Sequence, residues 1–221
     1  MPDRRLVDTT ELFAALPEGV RDSLAAGARS RSYERGELVF AQSDPAAELF
    51  LLVSGRVAIV NRATDGRESV VAVLDDGGIF GELGLFDGAV RSADARALAD
   101  TELLAFDYGR VRAALEQQPG ALWVIMRILA RRLRATDEAL ADAVLLDVPA
   151  RTAKRLLELA GDDDEFRLPL TQEELAGLVG ASRERVNKAL SLFTRVGWLA
   201  IEGRNHYRIL DRQALEDRAD L

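Results

Sequence analysis

The sequence predicts an α+β fold: a β-rich first half, one long helix, then a helical hairpin followed by a β-hairpin. Three observations predict it. Residues 35–107 hold short Val/Ile/Leu/Phe-rich runs punctuated by glycine at 36, 55, 66, 77, 78, 81, 84 and 88. Closely spaced short strands with glycine turns belong to a barrel, roll or sandwich. After Pro119 and Gly120 no Gly or Pro interrupts the chain until Pro149, so residues 119–146 read as one helix of about 40 Å. From Thr171 to Leu190 two apolar helical faces flank Gly180.

Each element follows in order. Residues 10–34 read as short helices, Thr10 to Leu16 and then Pro17 opening Glu18 to Ala28. The strands expected next are Glu37–Gln42, Glu48–Val53, Arg56–Asn61, Glu68–Leu74, Ser92–Ala97 and Glu102–Phe106. In the long helix Leu122, Met126, Leu129, Leu133, Thr136, Leu140 and Ala143 repeat at intervals of 4 and 3. That heptad seam predicts a two-stranded coiled coil and hence a parallel homodimer. A core helix packed on its own domain is the alternative. Thr136 is a polar break in the seam, of the kind kept for register or for a ligand. Asp147-Val148-Pro149 reads as a short hinge, residues 150–160 as an amphipathic helix, and residues 161–165 as an acidic, mobile loop. The expected domains are 1–118, 119–146 and 147–221.

The segment from residue 171 carries the most chemistry. Thr171 can cap a helix, and Glu174 three residues on completes a capping box. Gly180 supplies a turn in which a side chain would hinder positive φ. Ser182 can cap the second helix, with Val186, Ala189, Leu190 and Phe193 turned to the core. Arg183 and Glu184 then occupy the first turn of a helix that, in a helix-turn-helix, enters the major groove. Arg can bond guanine O6 and N7 together, and Glu can accept from cytosine N4. An ordinary helical hairpin with a solvated charged face is the alternative. Residues 197–201 and 207–210 are short apolar strands around Glu202-Gly203-Arg204-Asn205. Helix-turn-helix plus hairpin is a winged helix, with Arg204 and Arg208 placed for phosphates. His206, the only histidine, suits a surface or phosphate-facing position there.

Composition narrows the classes. A chain of 221 residues with 48 % hydrophobic and 30 % charged residues is globular and long enough for two domains. It has no cysteine, which excludes disulfides, iron–sulfur clusters and thiolate-bound zinc. With a single histidine, no metal is expected. No run suggests a membrane span or a signal peptide, so a cytoplasmic location is expected. The net charge of −8 opposes non-specific nucleic-acid binding, but the local balance differs. From Arg183 to Arg208 stand six basic residues (Arg183, Arg185, Lys188, Arg195, Arg204, Arg208) and two acidic ones (Glu184, Glu202).

A candidate ligand segment lies between the last strands: Gly81-Glu82-Leu83-Gly84-Leu85-Phe86-Asp87-Gly88-Ala89-Val90-Arg91-Ser92-Ala93. Its helical turn offers N–H groups to an anion. Arg91 and Ser92 can bind phosphate, and Glu82 can accept from a sugar hydroxyl. An anion cradle beside a carboxylate suits a ribose phosphate, although Gly-rich turns with one Arg also occur in other β proteins.

On these two motifs, Gly81-Glu82-Leu83 with Arg91-Ser92-Ala93 and Ser182-Arg183-Glu184 with Val186, the chain resembles the Crp/Fnr family, close to the cyclic-AMP receptor proteins. The resemblance runs from about Leu12 to Ile209. It implies a jelly-roll-like β-roll that binds a cyclic nucleotide, a dimerising central helix and a DNA-binding winged helix-turn-helix that the ligand reorients. Carried over, it implies that Glu82 bonds the ribose 2′-hydroxyl. Arg91 and Ser92 hold the cyclic phosphate, with Gly81 and Leu83 lending backbone. Val71, Ala72 and Phe80 line the purine pocket, and Thr136 and the partner subunit's Asp137 meet the adenine edge. Asp137 departs from the smaller Ser or Asn expected there. On the DNA side it implies Thr171, Gln172, Ser182, Arg183, Glu184, Arg185, Lys188 and Arg204, with half-sites of the type TGTGA and TCACA. Arg185 stands where Thr is commoner. The dimer would be built on Leu122, Met126, Leu129, Leu133 and Leu140.

The function expected is a homodimeric transcription regulator that binds a palindromic double-stranded DNA site under cyclic-AMP control and works with RNA polymerase. The alternatives are the same regulator acting without a nucleotide, or with another such as cyclic GMP. A haem or iron–sulfur sensor is opposed by the missing cysteines. An enzyme is opposed because no nucleophile–base pair can be assembled around His206.

Overall fold

A computed structural model describes residues 10–66, 68–168, 170–203 and 205–220. The chain divides into two compact units, Met1–Arg134 and Ala135–Leu221.

The first unit opens with helices α1 (Glu11–Ala14) and α2 (Glu18–Gly27). Eight strands follow: β1 (Arg29–Tyr33), β2 (Leu38–Phe40), β3 (Glu48–Ser54), β4 (Val57–Arg62), β5 (Glu68–Leu74), β6 (Ile79–Phe80), β7 (Asp94–Ala97) and β8 (Thr101–Asp107). A short helix α3 (Leu83–Asp87) interrupts them between β6 and β7, and α4 (Tyr108–Gln117) follows β8. Two four-stranded antiparallel sheets result, in the orders β1-β8-β3-β6 and β2-β7-β4-β5. β3 is apolar without alternation because both its faces are covered. Phe50 and Leu52 join Phe80, Leu103, Val57 and Ala95 between the sheets. Leu49 and Leu51 face the helices, with Phe13, Phe106, Val111 and Ile125. This is the β-roll architecture expected.

One expected feature is corrected here. Residues 29–33 form β1, not helix or loop, pairing antiparallel with β8 from Arg29↔Ala105 to Tyr33↔Thr101. Arg29 and Arg31 both reach the Glu48 carboxylate, at 2.5 and 2.7 Å. An edge strand of alternating Arg and Ser carries no apolar signature, so periodicity misses it.

The long helix is α5 (Gly120–Leu145). The second unit continues with α6 (Val148–Ala160), β9 (Glu165–Arg167), α7 (Gln172–Val179), α8 (Arg183–Arg195), β10 (Leu199–Glu202), β11 (His206–Ile209) and α9 (Arg212–Ala219). Its sheet has three strands in the order β10-β11-β9, one more than the sequence predicts.

Two more expectations are corrected. The hinge is shorter than Asp147–Pro149. Asp147 caps α6 by accepting from the Ala150 amide at 2.9 Å, and Pro149 sits in the first turn, where its missing N–H costs nothing. The acidic loop is held in place. Arg212 of α9 donates to the Asp164 carboxylate (2.8 Å) and to the carbonyls of Gly161 (3.0 Å) and Asp163 (2.9 Å).

Candidate functional site

Two regions carry the candidate chemistry. The first surrounds α3. Gly81 leaves β6 at φ +74°, and a Cβ there would fall 2.7 Å from Arg91 Nη1. Gly84 is equally confined, since its Cβ would lie 2.6 Å from that of Ala46. Gly81 lets this turn close down on Arg91, and Gly84 lets it close down on Ala46.

Arg91 is 6 % exposed. Its Nη1 donates to the Gly81 carbonyl at 2.9 Å and lies 3.1 Å from the Tyr108 hydroxyl. Nη2 donates to the Glu48 carbonyl at 2.8 Å. The guanidinium lies 4.1 Å from the centre of the Phe40 ring, a cation–π contact. Its Nε is buried without a hydrogen-bond partner among the described residues. Tyr108 also donates to Gly81 O. Burial pushes its hydroxyl above the ordinary tyrosine range, so it remains a donor at neutral pH.

Glu82 is 7 % exposed. Its carboxylate is paired with Arg132 Nη1 on α5, and Arg132 Nη2 donates to the Ile79 carbonyl. Sequence reasoning missed Arg132 and Tyr108. Arg132 could have been found, since it lies one helical turn before Thr136; Tyr108 gave no signal.

The remaining pocket residues are less gathered. Ser92 and Leu83 are exposed. Val71 on β5 is 48 % exposed and Ala72 half-buried. Phe80 is 1 % exposed and stacks on Phe50 at 5.3 Å, so it is a core residue first. Thr136 and Asp137 fall in the second unit, exposed on α5.

On α5 the expected seam is an exposed stripe. Leu122, Met126, Leu133 and Leu140 are 40 %, 60 %, 62 % and 65 % exposed. Leu129 differs, half-buried against the helix-facing core.

The second region is the helical hairpin. Thr171 and Glu174 form the capping box: the Glu174 amide donates to Thr171 Oγ1 at 3.2 Å and the Thr171 amide to Glu174 at 2.6 Å. Gly180 turns at φ +70°, and Ser182 caps α8 by accepting from the Arg185 amide. Val186, Ala189, Leu190 and Phe193 are buried, leaving Arg183, Glu184, Arg185 and Lys188 exposed. Lys188 pairs with Glu184 at 3.0 Å, which holds the Glu184 carboxyl below the usual range. Gln172 is turned inward, donating to the Tyr207 hydroxyl at 2.9 Å. Arg208 pairs with Glu202 at 2.9 Å, and His206 with Glu165 at 2.9 Å. Arg204 lies outside the described residues. Among the described residues Arg183, Arg185 and Arg195 have no carboxylate partner.

Residues 30–118 match the cyclic nucleotide-binding domain, and residues 150–218 the Crp-like helix-turn-helix domain. The chain belongs to the Crp/Fnr family. Members of this family are transcription regulators, not enzymes. A CRP-like cAMP-activated global transcriptional regulator of Mycobacterium tuberculosis is 39 % identical, over 93 % of this chain and 96 % of its own. The cAMP-activated regulator Vfr of Pseudomonas aeruginosa is 32 % identical, over 83 % of this chain and 90 % of its own. Among solved structures, the c-di-GMP responsive regulator CLP of Xanthomonas campestris aligns with TM-score 0.78 at 28 % identity, covering 87 % of this chain and 99 % of that one. FixK2 of Bradyrhizobium japonicum, at 23 % identity and TM-score 0.78 over 86 % and 96 %, shares the fold. No helix among the described residues is long and apolar enough to cross a membrane.

Proposed function

We propose that this Crp-like regulator is a homodimer whose affinity for a palindromic DNA site is raised by cyclic AMP. The observation that supports the nucleotide is two buried, opposite charges flanking one short helix, Glu82 before α3 and Arg91 after it. Arg91 keeps a buried Nε–H without a partner, and Glu82 offers a buried carboxylate. A buried donor left unsatisfied is costly, and an anion reaching Arg91 would relieve it. Ser92, next to Arg91 and exposed, adds a hydroxyl to the same anion. Glu82 accepts from a ribose hydroxyl while Arg132 balances its charge.

Thr136 and Asp137 of α5 then read the purine edge, Asp137 from the partner subunit. Adenine N6 is a donor and both side chains accept. A ligand that bonds α5 of both subunits acts on the helix that ends two residues before α6. It shifts the winged helices only if it binds the two arrangements with different affinity. The exposed stripe of Leu122, Met126, Leu133 and Leu140 supports the dimer: isolated apolar residues are ordinary, a continuous heptad row is an interface.

On the DNA, Arg183 and Glu184 read bases, and Thr171, Ser182, Arg185 and Arg204 position the phosphates. Glu184 exchanges Lys188 for cytosine N4. The regulator acts on transcription through RNA polymerase.

Asp137 favours a second reading, cyclic GMP, because a guanine edge presents adjacent N1 and N2 donors to one carboxylate. Calorimetric titration with each nucleotide decides. Cyclic AMP binding more tightly supports the first reading, cyclic GMP more tightly the second, and heat from neither removes both.

A further inference from the structure

On the reading side of α8, Asn187 is an uncharged residue for which neither the fold nor an ion pair accounts. Asn is a poor interior helix residue because its amide competes with the backbone. Asn187 lies five positions past the Ser182 cap, so it caps nothing. Among the described residues its side chain has no hydrogen-bond partner. It is half-buried in a surface groove shared with Glu184, Lys188, Ser191 and Arg195.

Its direction follows from the helix. Taking about 100° per residue from the buried Val186, Arg183 falls at about 60°, Asn187 at about 100° and Glu184 at about 160°. Asn187 therefore projects between the two residues assigned to bases. It stands four residues beyond Arg183, a rise of about 6 Å, or roughly two base-pair steps at 3.4 Å. Lys188 at about 200° is drawn to Glu184 at 3.0 Å. The carboxamide is thus the neutral donor–acceptor pair in the middle of this face. A carboxamide presents one donor and one acceptor side by side, the complement of adenine N6 and N7.

We propose that Asn187 is a specificity-determining residue that reads an adenine in each half-site, within about two base-pair steps of the guanine read by Arg183. The assignment rests on the reading of α8 as the helix in the major groove.

The test is selection of bound duplexes from a randomised pool by the full-length dimer with cyclic AMP, for the wild type, Asn187→Ala and Arg183→Ala. Alanine is a better helix former than asparagine, so the helix is not at risk. The expected result is that Asn187→Ala loses preference for A·T at one position per half-site, by roughly fivefold to 150-fold, while the guanine read by Arg183 stays selected. If Asn187→Ala weakens all sequences equally, the carboxamide is a phosphate contact and the proposal is wrong. Full preference retained at every position also overturns it. If Arg183→Ala likewise leaves every preference intact, the failure belongs to the placement of α8, not to Asn187 alone.

Discussion

Arg91 serves the fold and, in the proposed function, the ligand, and substitution separates the two uses. Its guanidinium satisfies the carbonyls of Gly81 and Glu48 and covers Phe40. Arg91→Ala takes the guanidinium from the Glu48 carbonyl and leaves the Gly81 carbonyl to Tyr108 alone, at roughly 1–3 kcal/mol, so urea denaturation should show a loss of stability beside the loss of nucleotide binding. Ser92 is exposed and makes no comparable contact. Ser92→Ala should therefore weaken cyclic-AMP binding by about 1.5–3 kcal/mol, the range for a hydrogen bond to a charged group, with an unchanged urea midpoint. Equal nucleotide affinity in calorimetry would remove Ser92 from the site. Arg91, Ser92 and Glu82 were legible in the sequence as candidates because their residue types state their chemistry. Phe40, Tyr108 and Arg132 were not read, because only the fold brings β2, α4 and α5 to this turn, as with Glu82 and Arg132 across 50 positions; of the three, Arg132 alone carried a sequence signal. The caps Thr171 and Ser182 and the turn at Gly180 were read correctly, since their chemistry acts over three or four residues.

Among elements, α5 has the clearest consequence. Leu133 is 62 % exposed, so Leu133→Glu leaves the single chain's core untouched but would set two like charges across the proposed two-fold. Light scattering should show monomers, with an unchanged circular dichroism spectrum. A retained dimer would move the interface elsewhere. Leu129 is a poorer probe because it also packs on the core. The start of α6 is a second test. Asp147 caps α6 and is gripped by Arg218 of α9 at 2.5 and 2.6 Å. Partial burial pushes its carboxyl up, but the Ala150 amide and Arg218 outweigh this and hold it below the ordinary aspartate value. A carboxylate lowered on folding stabilises above its unfolded pKa, and that contribution is lost as pH falls through the lowered folded value. The effect is small, because the Asp147 side chain is 62 % exposed. Asp147→Asn keeps a good cap but should flatten the fall of the urea midpoint below about pH 4. A variant as acid-sensitive as the wild type would show that the pair contributes nothing. Strands with apolar runs, such as β3 and β5, were placed to within a residue; β1, polar and on an edge, and β6, two residues long, were not. α9 escaped notice because its sequence is mostly polar, yet Leu215 is fully buried.

For the whole molecule, charge and linkage set the behaviour. A net charge of −8 suppresses non-specific attraction to DNA. Arg183, Arg185 and Arg195 concentrate positive charge on α8, so operator affinity should fall steeply with salt. α5 has residues in both compact units, from Gly120 in the first to Leu145 in the second. Only Leu146 and Asp147 separate it from α6. In the proposed function a nucleotide that contacts α5 acts on the helix that leads into α6, and its coupling to DNA binding runs both ways. The direct measurement is fluorescence anisotropy of a palindromic duplex titrated with the dimer, without and with saturating cyclic AMP. The predicted result is tighter binding by about 1–3 kcal/mol, or roughly fivefold to 150-fold. Identical operator affinity in both titrations, by protein that calorimetry shows to bind the nucleotide, would contradict nucleotide control of DNA binding.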